Sequence, residues 1–194
     1  MHTQLNGNCY SKGGKPHINT VCSIDNSLAH SDLLRALHAR HYKYYLMFVI
    51  GCETGLRISD ILKLRGNVKR TMRITETKTG KKRIITFSLD AWTSICHIRD
   101  KYNLKPRDYL IFSSDRKRNA PVSRVQCWRV LHALSKSLDI PNVGTHSMRK
   151  TFAMSEYKRT KDLCHVQRLL NHKYLSTTLL YLSDGDLSKV NIQF

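Results

Sequence analysis

Apolar residues recur at helical spacing over most of the chain after its N-terminal stretch. From Ser31, leucines and aromatic residues repeat every three or four positions as far as about Cys52, which predicts two helices with Ser31 as an N-cap. The same period returns beyond Asp90. We place these later helices at about 90–102, 122–138, 147–157, 162–171 and 176–182. The chain is therefore predicted to be mostly α-helical.

A different pattern runs from Met72 to Phe87. Isoleucine and other β-forming residues lie on both sides of the turn-like sequence Lys78-Thr79-Gly80-Lys81, which is typical of a β-hairpin. We expect a sheet of two or three strands here. The predicted fold class is α+β, mostly α, with one small antiparallel β-sheet.

The first 27 residues show no sustained apolar period and are rich in Asn, Gly, Ser and Lys. We expect residues 1–27 to form a flexible N-terminal tail, and residues 28–194 to form one domain. A length of 194 residues is enough for one hydrophobic core and too short for two full domains.

Charge narrows the choice of partner. The chain carries 33 Lys and Arg against 14 Asp and Glu, a net charge of +19, which indicates a polyanion and above all double-stranded DNA. The basic residues are spread along the chain rather than along one amphipathic helix, which argues against a membrane surface. The longest apolar run, Tyr44 to Ile50, is too short to span a bilayer. Six cysteines without Cys-x-x-Cys spacing read as reduced thiols, so we expect a cytoplasmic, DNA-associated protein.

Three short segments carry candidate chemistry, beginning with Arg57. The sequence Thr54-Gly55-Leu56-Arg57 is predicted to turn into a helix that runs on through Ile61 to Leu64. The planar guanidinium suits the non-bridging oxygens of a phosphate, and Asp60, three residues later, could orient it. Taken alone, this pattern is more typical of an ordinary surface arginine paired with Asp60.

A second segment starts a helix at Thr145 to Arg149, with Thr145 or Ser147 as its cap. His146 and Arg149 share one face of that helix. Together with the amide donors of a helix N-terminus, they favour a bound anion.

The third segment pairs His172, at the end of one helix, with Tyr181 nine residues later. By itself, a tyrosine within Leu-Leu-Tyr-Leu is typical of a core aromatic residue.

Occurring together and in this order, these segments resemble the catalytic domain of tyrosine recombinases, the phage integrase family. The resemblance runs from about Ser31 to Leu182. It implies the fold of that catalytic domain, and Tyr181 as a nucleophile. The family also has a catalytic lysine on a β-hairpin. Lys78 is the best match to it, although Lys81 and Lys82 lie in the same turn. The implied catalytic set is Arg57, Lys78, His146, Arg149, His172 and Tyr181.

Three departures from the family pattern stand out. Asn171 replaces a common glycine before the second histidine, and Lys150 replaces a frequent histidine after the second arginine. Most members also have a core-binding domain ahead of the catalytic domain, where this chain has only the predicted tail. We therefore expect this chain to bind DNA more weakly than most members of the family do.

The resemblance implies a site-specific DNA recombinase that cuts and rejoins strands through a 3′-phosphotyrosine, with a homotetramer at synapsis. Positive charge promotes loss of the tyrosine proton and stabilises the transition state. We expect this charge to come from Arg57, Arg149, His146 and His172. A hairpin lysine is a reasonable acid for the departing 5′ oxygen. Neither metal nor ATP is expected, and the sequence has no phosphate-binding Gly-x-x-x-x-Gly-Lys-Ser/Thr loop.

Other classes of protein stay open. A metal-dependent nuclease or transposase would need clustered carboxylates, and the nearest acidic pair is Asp184 and Asp186. A catalytically silent DNA-binding accessory protein could keep the same fold. A type IB topoisomerase shares this kind of site. The target DNA and the direction of recombination are not encoded in these motifs.

Overall fold

The computed structural model describes residues 21–24 and 26–183, in which eight helices are interrupted by two pairs of strands, an α+β arrangement. The helices are α1 (Ser27–Arg40), α2 (Tyr42–Thr54), α3 (Ile58–Ile61), α4 (Leu89–Lys101), α5 (Arg124–Ser137), α6 (Thr145–Thr160), α7 (Leu163–Leu170) and α8 (Leu175–Ser183). The strands are β1 (Thr71–Thr75), β2 (Lys82–Thr86), β3 (Phe112–Ser114) and β4 (Lys117–Pro121). The predicted class, mostly α with antiparallel β, is confirmed.

The strands pair as two separate antiparallel hairpins rather than one sheet. The predicted hairpin is β1–β2, with Thr71 opposite Thr86 and Thr75 opposite Lys82. The second hairpin, β3–β4, was not predicted. Its strands are short and its sequence, Lys117 to Pro121, is polar and ends in proline, so it lacks the alternation that marks a strand.

The chain before α1 contradicts the expectation of a flexible tail over residues 21–24. Cys22 and Ile24 are buried, and their backbone amides donate to Asn142 O (3.0 Å) and Thr151 Oγ1 (3.0 Å). This segment is too short to show an apolar period. Residues 1–20 lie outside the described residues.

Helix α1 begins earlier than the periodicity indicated. Its N-cap is Asn26, whose side chain accepts from the amides of Leu28 and Ala29. The predicted cap, Ser31, lies inside the helix and donates from its hydroxyl to Ser27 O. An asparagine is as good a cap as serine, and the apolar residue Leu28 in the first turn of α1 is exposed, so this turn does not extend the buried face of the helix.

Two hydrophobic cores meet along α6. The larger one is enclosed by α1, α2, α4 and α5, and Met148 belongs to it. The smaller one joins α6 to α7 and α8, and Phe152 belongs to it. Because α6 takes part in both, its N-terminal half is held from two sides.

Close packing of α2 on α6 brings two candidate arginines together. A Cβ added at Gly51 would lie 2.7 Å from Met148, and one added at Gly55 would overlap the ring of Phe152. Gly55 also has φ of 61°, a left-handed conformation that ends α2 and turns the chain toward Arg57. This turn therefore sets Arg57 beside the start of α6, where Arg149 lies.

None of the helices within residues 21–24 and 26–183 is both long and apolar enough to cross a membrane.

Candidate active site

Arg57 lies in extended backbone immediately before α3 (φ −70°, ψ 148°), and only 16% of its side chain is exposed. Its Nη1 donates to Glu76 Oε2 at 2.7 Å. The prediction that Asp60 orients Arg57 is wrong, because Asp60 Oδ1 instead accepts from the backbone amide of Thr77 at 2.9 Å. Arg57 precedes a helix of only four residues, so the pairing expected of a regular helix does not apply.

Glu76 is the partner that sequence reasoning missed. It follows β1 directly and its side chain is fully buried. Burial by itself raises the pKa of the Glu76 carboxyl, but interactions with Arg57, Asn171 and Thr79 outweigh that effect and lower it. The carboxylate is therefore ionised at neutral pH. The only signal in the sequence was an acidic residue standing within a strongly basic hairpin.

Lys78 lies in the turn between β1 and β2, exposed to solvent. Its charge is among those that lower the pKa of His146, so the turn brings Lys78 within electrostatic range of α6. Lys81 and Lys82 are also exposed, and Lys82 already belongs to β2, paired with Thr75.

Arg149 is almost completely buried on α6, with 3% of its surface exposed. Nη1 donates to Gly55 O (2.5 Å) and Nη2 to Leu170 O (2.6 Å), which ties the end of α2 to the end of α7. Burial, and then the charge of Arg57, lower the pKa of Arg149 to about 10, so it stays a cation at neutral pH.

Arg83, on β2, also donates to the C-terminal ends of α2 and α7. In each case it binds the carbonyl one residue before the one that Arg149 binds. It donates to Thr54 O (2.5 Å) and Leu169 O (3.0 Å), and its Nη1 lies 3.6 Å from Glu76 Oε1. The exposed carbonyls at a helix C-terminus carry partial negative charge, which favours a cation there. Arg149 and Arg83 thus bind the C-terminal ends of α2 and α7 together.

His146 is the second residue of α6, whose N-cap is Gly144. The prediction of Thr145 or Ser147 as the cap is wrong: Thr145 is the first helical residue, and the Ser147 hydroxyl accepts from the Gly144 amide at 3.2 Å. Burial lowers the pKa of His146, and the charges of Arg149 and Arg57 lower it further.

His172 follows α7, and its Nδ1 lies 3.0 Å from Thr178 Oγ1. Burial, with added repulsion from Arg149 and Arg57, lowers the pKa of His172 to about 4. His172 is therefore neutral at pH 7, and the pKa of His146 moves in the same direction. Both shifts run against the expectation that the two histidines add positive charge, because Arg57 and Arg149 already place two cations beside them.

Tyr181 lies on α8, half-buried beside both His172 and Lys150. The rings of Tyr181 and His172 meet edge to face with centroids 5.3 Å apart. Lys150 Nζ lies 5.3 Å from the centre of the Tyr181 ring. Tyr181 also interacts electrostatically with Arg149.

The structure thus brings all six predicted site residues into one electrostatically connected cluster, although they come from distant parts of the chain. No group of three or more His, Cys, Asp or Glu side chains suited to a metal ion occurs among residues 21–24 and 26–183. Asp184 and Asp186, the acidic pair considered above, lie outside the described residues.

The sequence profile of the phage integrase family matches residues 26–186. The chain belongs to this family. It is 39% identical over 149 residues to the probable integrase/recombinase YoeC of Bacillus subtilis (strain 168), a match that covers 75% of this chain and 80% of that protein. It is 31% identical over 169 residues to the tyrosine recombinase XerC of Mesorhizobium japonicum, covering 83% of this chain and 51% of that protein.

Solved structures of the family confirm the predicted fold. A crystal structure of XerA recombinase aligns with a TM-score of 0.68 at 21% identity, over 88% of this chain and 61% of that one. XerH bound to its difH substrate in a pre-cleavage complex aligns with a TM-score of 0.65 at 20% identity, over 84% of this chain and 51% of that one. The chain therefore spans about half the length of several family members and four fifths of the Bacillus relative.

The structure accounts for two departures from the phage integrase pattern, Asn171 and Lys150. Asn171 ends α7 with φ of 54°, the left-handed conformation in which glycine is common and asparagine is tolerated. Lys150 is buried on α6, where its ammonium faces the ring of Tyr181. Both substitutions therefore fit the family fold.

Proposed function

We propose that this protein is a site-specific DNA recombinase that cleaves and rejoins DNA through a 3′-phosphotyrosine on Tyr181. The observation that carries the proposal is the clustering of two arginines, two histidines, a hairpin lysine and a tyrosine around the start of α6. Relatives named as integrases and tyrosine recombinases support it, as does the similar fold of XerH bound to its difH substrate.

Arg57 and Arg149 would bind the scissile phosphate. Both keep guanidinium N–H groups beyond those already bonded to Glu76, Gly55 O and Leu170 O, since each guanidinium has five donors. Their mutual repulsion, seen in the lowered pKa of Arg149, would be relieved by a bound anion. The same two cations would stabilise the charge that builds on the non-bridging oxygens in the transition state.

Tyr181 would attack phosphorus, forming the bond from its phenolic oxygen as the bond to the 5′ oxygen breaks. An ordinary phenol has a pKa near 10, so proton removal must be assisted at neutral pH. His172 is neutral and packs against the Tyr181 ring, so it can accept that proton, while the ammonium of Lys150 favours the phenolate. His146 would donate a hydrogen bond to the phosphate from the start of α6.

Lys78 would give its proton to the departing 5′ oxygen, since its turn reaches toward His146. A second 5′ hydroxyl could then attack the phosphotyrosine, forming a new P–O5′ bond and releasing the tyrosine, because the phosphotyrosine conserves the free energy of the broken phosphodiester bond. The scheme uses charges and protons supplied by side chains, so it requires no metal ion or ATP. We expect synapsis of two duplexes to assemble a tetramer.

Trapping the covalent adduct tests the proposal. The protein is incubated with duplex DNA from either side of its own gene, and products are resolved on a denaturing gel in the presence of a chelator. A DNA–protein adduct should form with the wild type and with Tyr174→Phe, an exposed tyrosine on the same segment, but not with Tyr181→Phe.

Other outcomes identify the alternatives. Tight DNA binding without any adduct would indicate a catalytically silent accessory protein. An adduct and relaxed supercoils without exchange between duplexes would indicate a type IB topoisomerase. An adduct that persists with Tyr181→Phe and disappears with Tyr174→Phe would place the nucleophile on the other tyrosine.

A further inference from the structure

Glu76 occupies the centre of the site without being one of the groups expected to touch DNA. One carboxylate oxygen, Oε2, accepts from Arg57 Nη1 at 2.7 Å and from Thr79 Oγ1 at 3.0 Å. The other oxygen, Oε1, lies 3.6 Å from Arg83 Nη1. A single buried carboxylate therefore contacts a phosphate-binding arginine, a structural arginine and the hairpin turn.

The turn that carries Lys78 is held on both sides of that residue. Before it, the Thr77 amide donates to Asp60 Oδ1 at 2.9 Å, and after it the Thr79 hydroxyl donates to Glu76. The backbone of Glu76 closes the same turn, since its amide donates to Lys81 O (3.0 Å) and its carbonyl accepts from Gly80 N (2.9 Å). Lys78 itself is exposed, and a lysine side chain has a flexible four-carbon stem, so its placement depends on these flanking bonds.

The charge of Glu76 also acts on residues it does not touch. It raises the pKa values of Arg149 and His172, partly offsetting the repulsion among the site's cations. A buried, ionised carboxylate is stable only when paired, so its position is fixed by Arg57 and Arg83. Movement of Glu76 would displace the arginine and the lysine turn together.

We propose that Glu76 is a positioning residue that couples Arg57, on the phosphate, to the turn that presents Lys78 to the leaving oxygen. The inference rests on the proposed function. It assigns to Glu76 the role that the sequence motif suggested for Asp60, and it predicts that a defect in the turn acts through proton donation alone.

Thr79→Val provides the test of the turn, because it removes the hydroxyl that donates to Glu76 and accepts from the Lys81 amide (3.3 Å), and it leaves the Arg57–Glu76 contact in place. Cleavage is measured on a normal strand and on one whose bridging 5′ oxygen is replaced by sulfur, which departs without a proton. Thr79→Val should cleave the oxygen strand roughly 10-fold more slowly and the sulfur strand at nearly the wild-type rate. Glu76→Gln should lose roughly 100-fold on the oxygen strand and recover only partly with sulfur, because Arg57 is misplaced as well.

The matched control is Thr86→Val, which loses a hydroxyl contact to Thr71 (3.1 Å) on the same hairpin, away from the turn. Full oxygen-strand activity in Thr79→Val, or a defect that sulfur leaves unchanged, would overturn the proposal. If the wild type forms no adduct on either strand, the proposed function fails instead. Amide hydrogen exchange then decides the structural claim: exchange at Thr77 and Gly80 should rise several-fold in Thr79→Val and not in Thr86→Val. Equal exchange in the two variants would refute it.

Discussion

Acidification should destabilise the protein through His172. Its pKa in the folded protein is about 4, lowered by burial and by two arginines, against an ordinary value of 6.5. Between these two values the unfolded chain binds a proton that the folded protein excludes, so stability falls as the pH drops from about 6.5 toward 4. The full shift corresponds to about 3 kcal/mol, and partial solvent exposure reduces the expected loss to about 1–2 kcal/mol.

His172→Asn isolates this contribution, because other groups with lowered pKa values, such as His146 and Glu76, titrate in both proteins. Urea unfolding is followed at intervals between pH 7 and 4.5. The wild type should lose about 1–2 kcal/mol more than the variant over that range. The pKa of His172 is read independently from its ring protons by NMR.

Inorganic phosphate extends the test. An anion between Arg57 and Arg149 cancels part of the repulsion on the imidazole, so saturating phosphate should raise the pKa of His172 and reduce the acid sensitivity. Parallel loss of stability in wild type and His172→Asn, or an NMR pKa near 6.5, would refute the account of a neutral histidine held between arginines.

Three further predictions concern the same surface. Arg149→Lys should cleave roughly 100-fold more slowly and unfold more easily, because an ammonium lacks the fork that now bonds two backbone carbonyls; full cleavage would show that only charge matters. Lys78→Ala should cleave normal DNA slowly and recover with a sulfur leaving group, whereas Arg57→Ala should not recover. If sulfur rescues only Lys81→Ala or Lys82→Ala, the general acid is one of those two lysines and not Lys78. Affinity for any duplex should fall steeply with salt in filter-binding titrations, since net charge is +19, and a flat plot would exclude a basic DNA-binding face.

Local sequence accounts for the elements and the ends of most of them. Helical periodicity located α4 to α8 within a few residues, because each of those helices buries apolar side chains that recur at helical spacing. The Lys-Thr-Gly turn located the β1–β2 hairpin, since its flanking residues favour strands. Where the signal failed, at the start of α1 and at β3–β4, few apolar side chains are buried and the structure depends on caps and on neighbouring elements.

The chain by itself determined the family, the types of residue in the candidate site and their order, because motif spacing is a local property. Only the tertiary structure decided which carboxylate pairs with Arg57, since Glu76 lies 19 residues away and contacts it from the end of β1. It also decided that His172 is neutral, because its pKa depends on arginines contributed by α6 and by the turn after α2. Protonation and pairing are set by distance and burial, and these become defined only when segments far apart in sequence pack together.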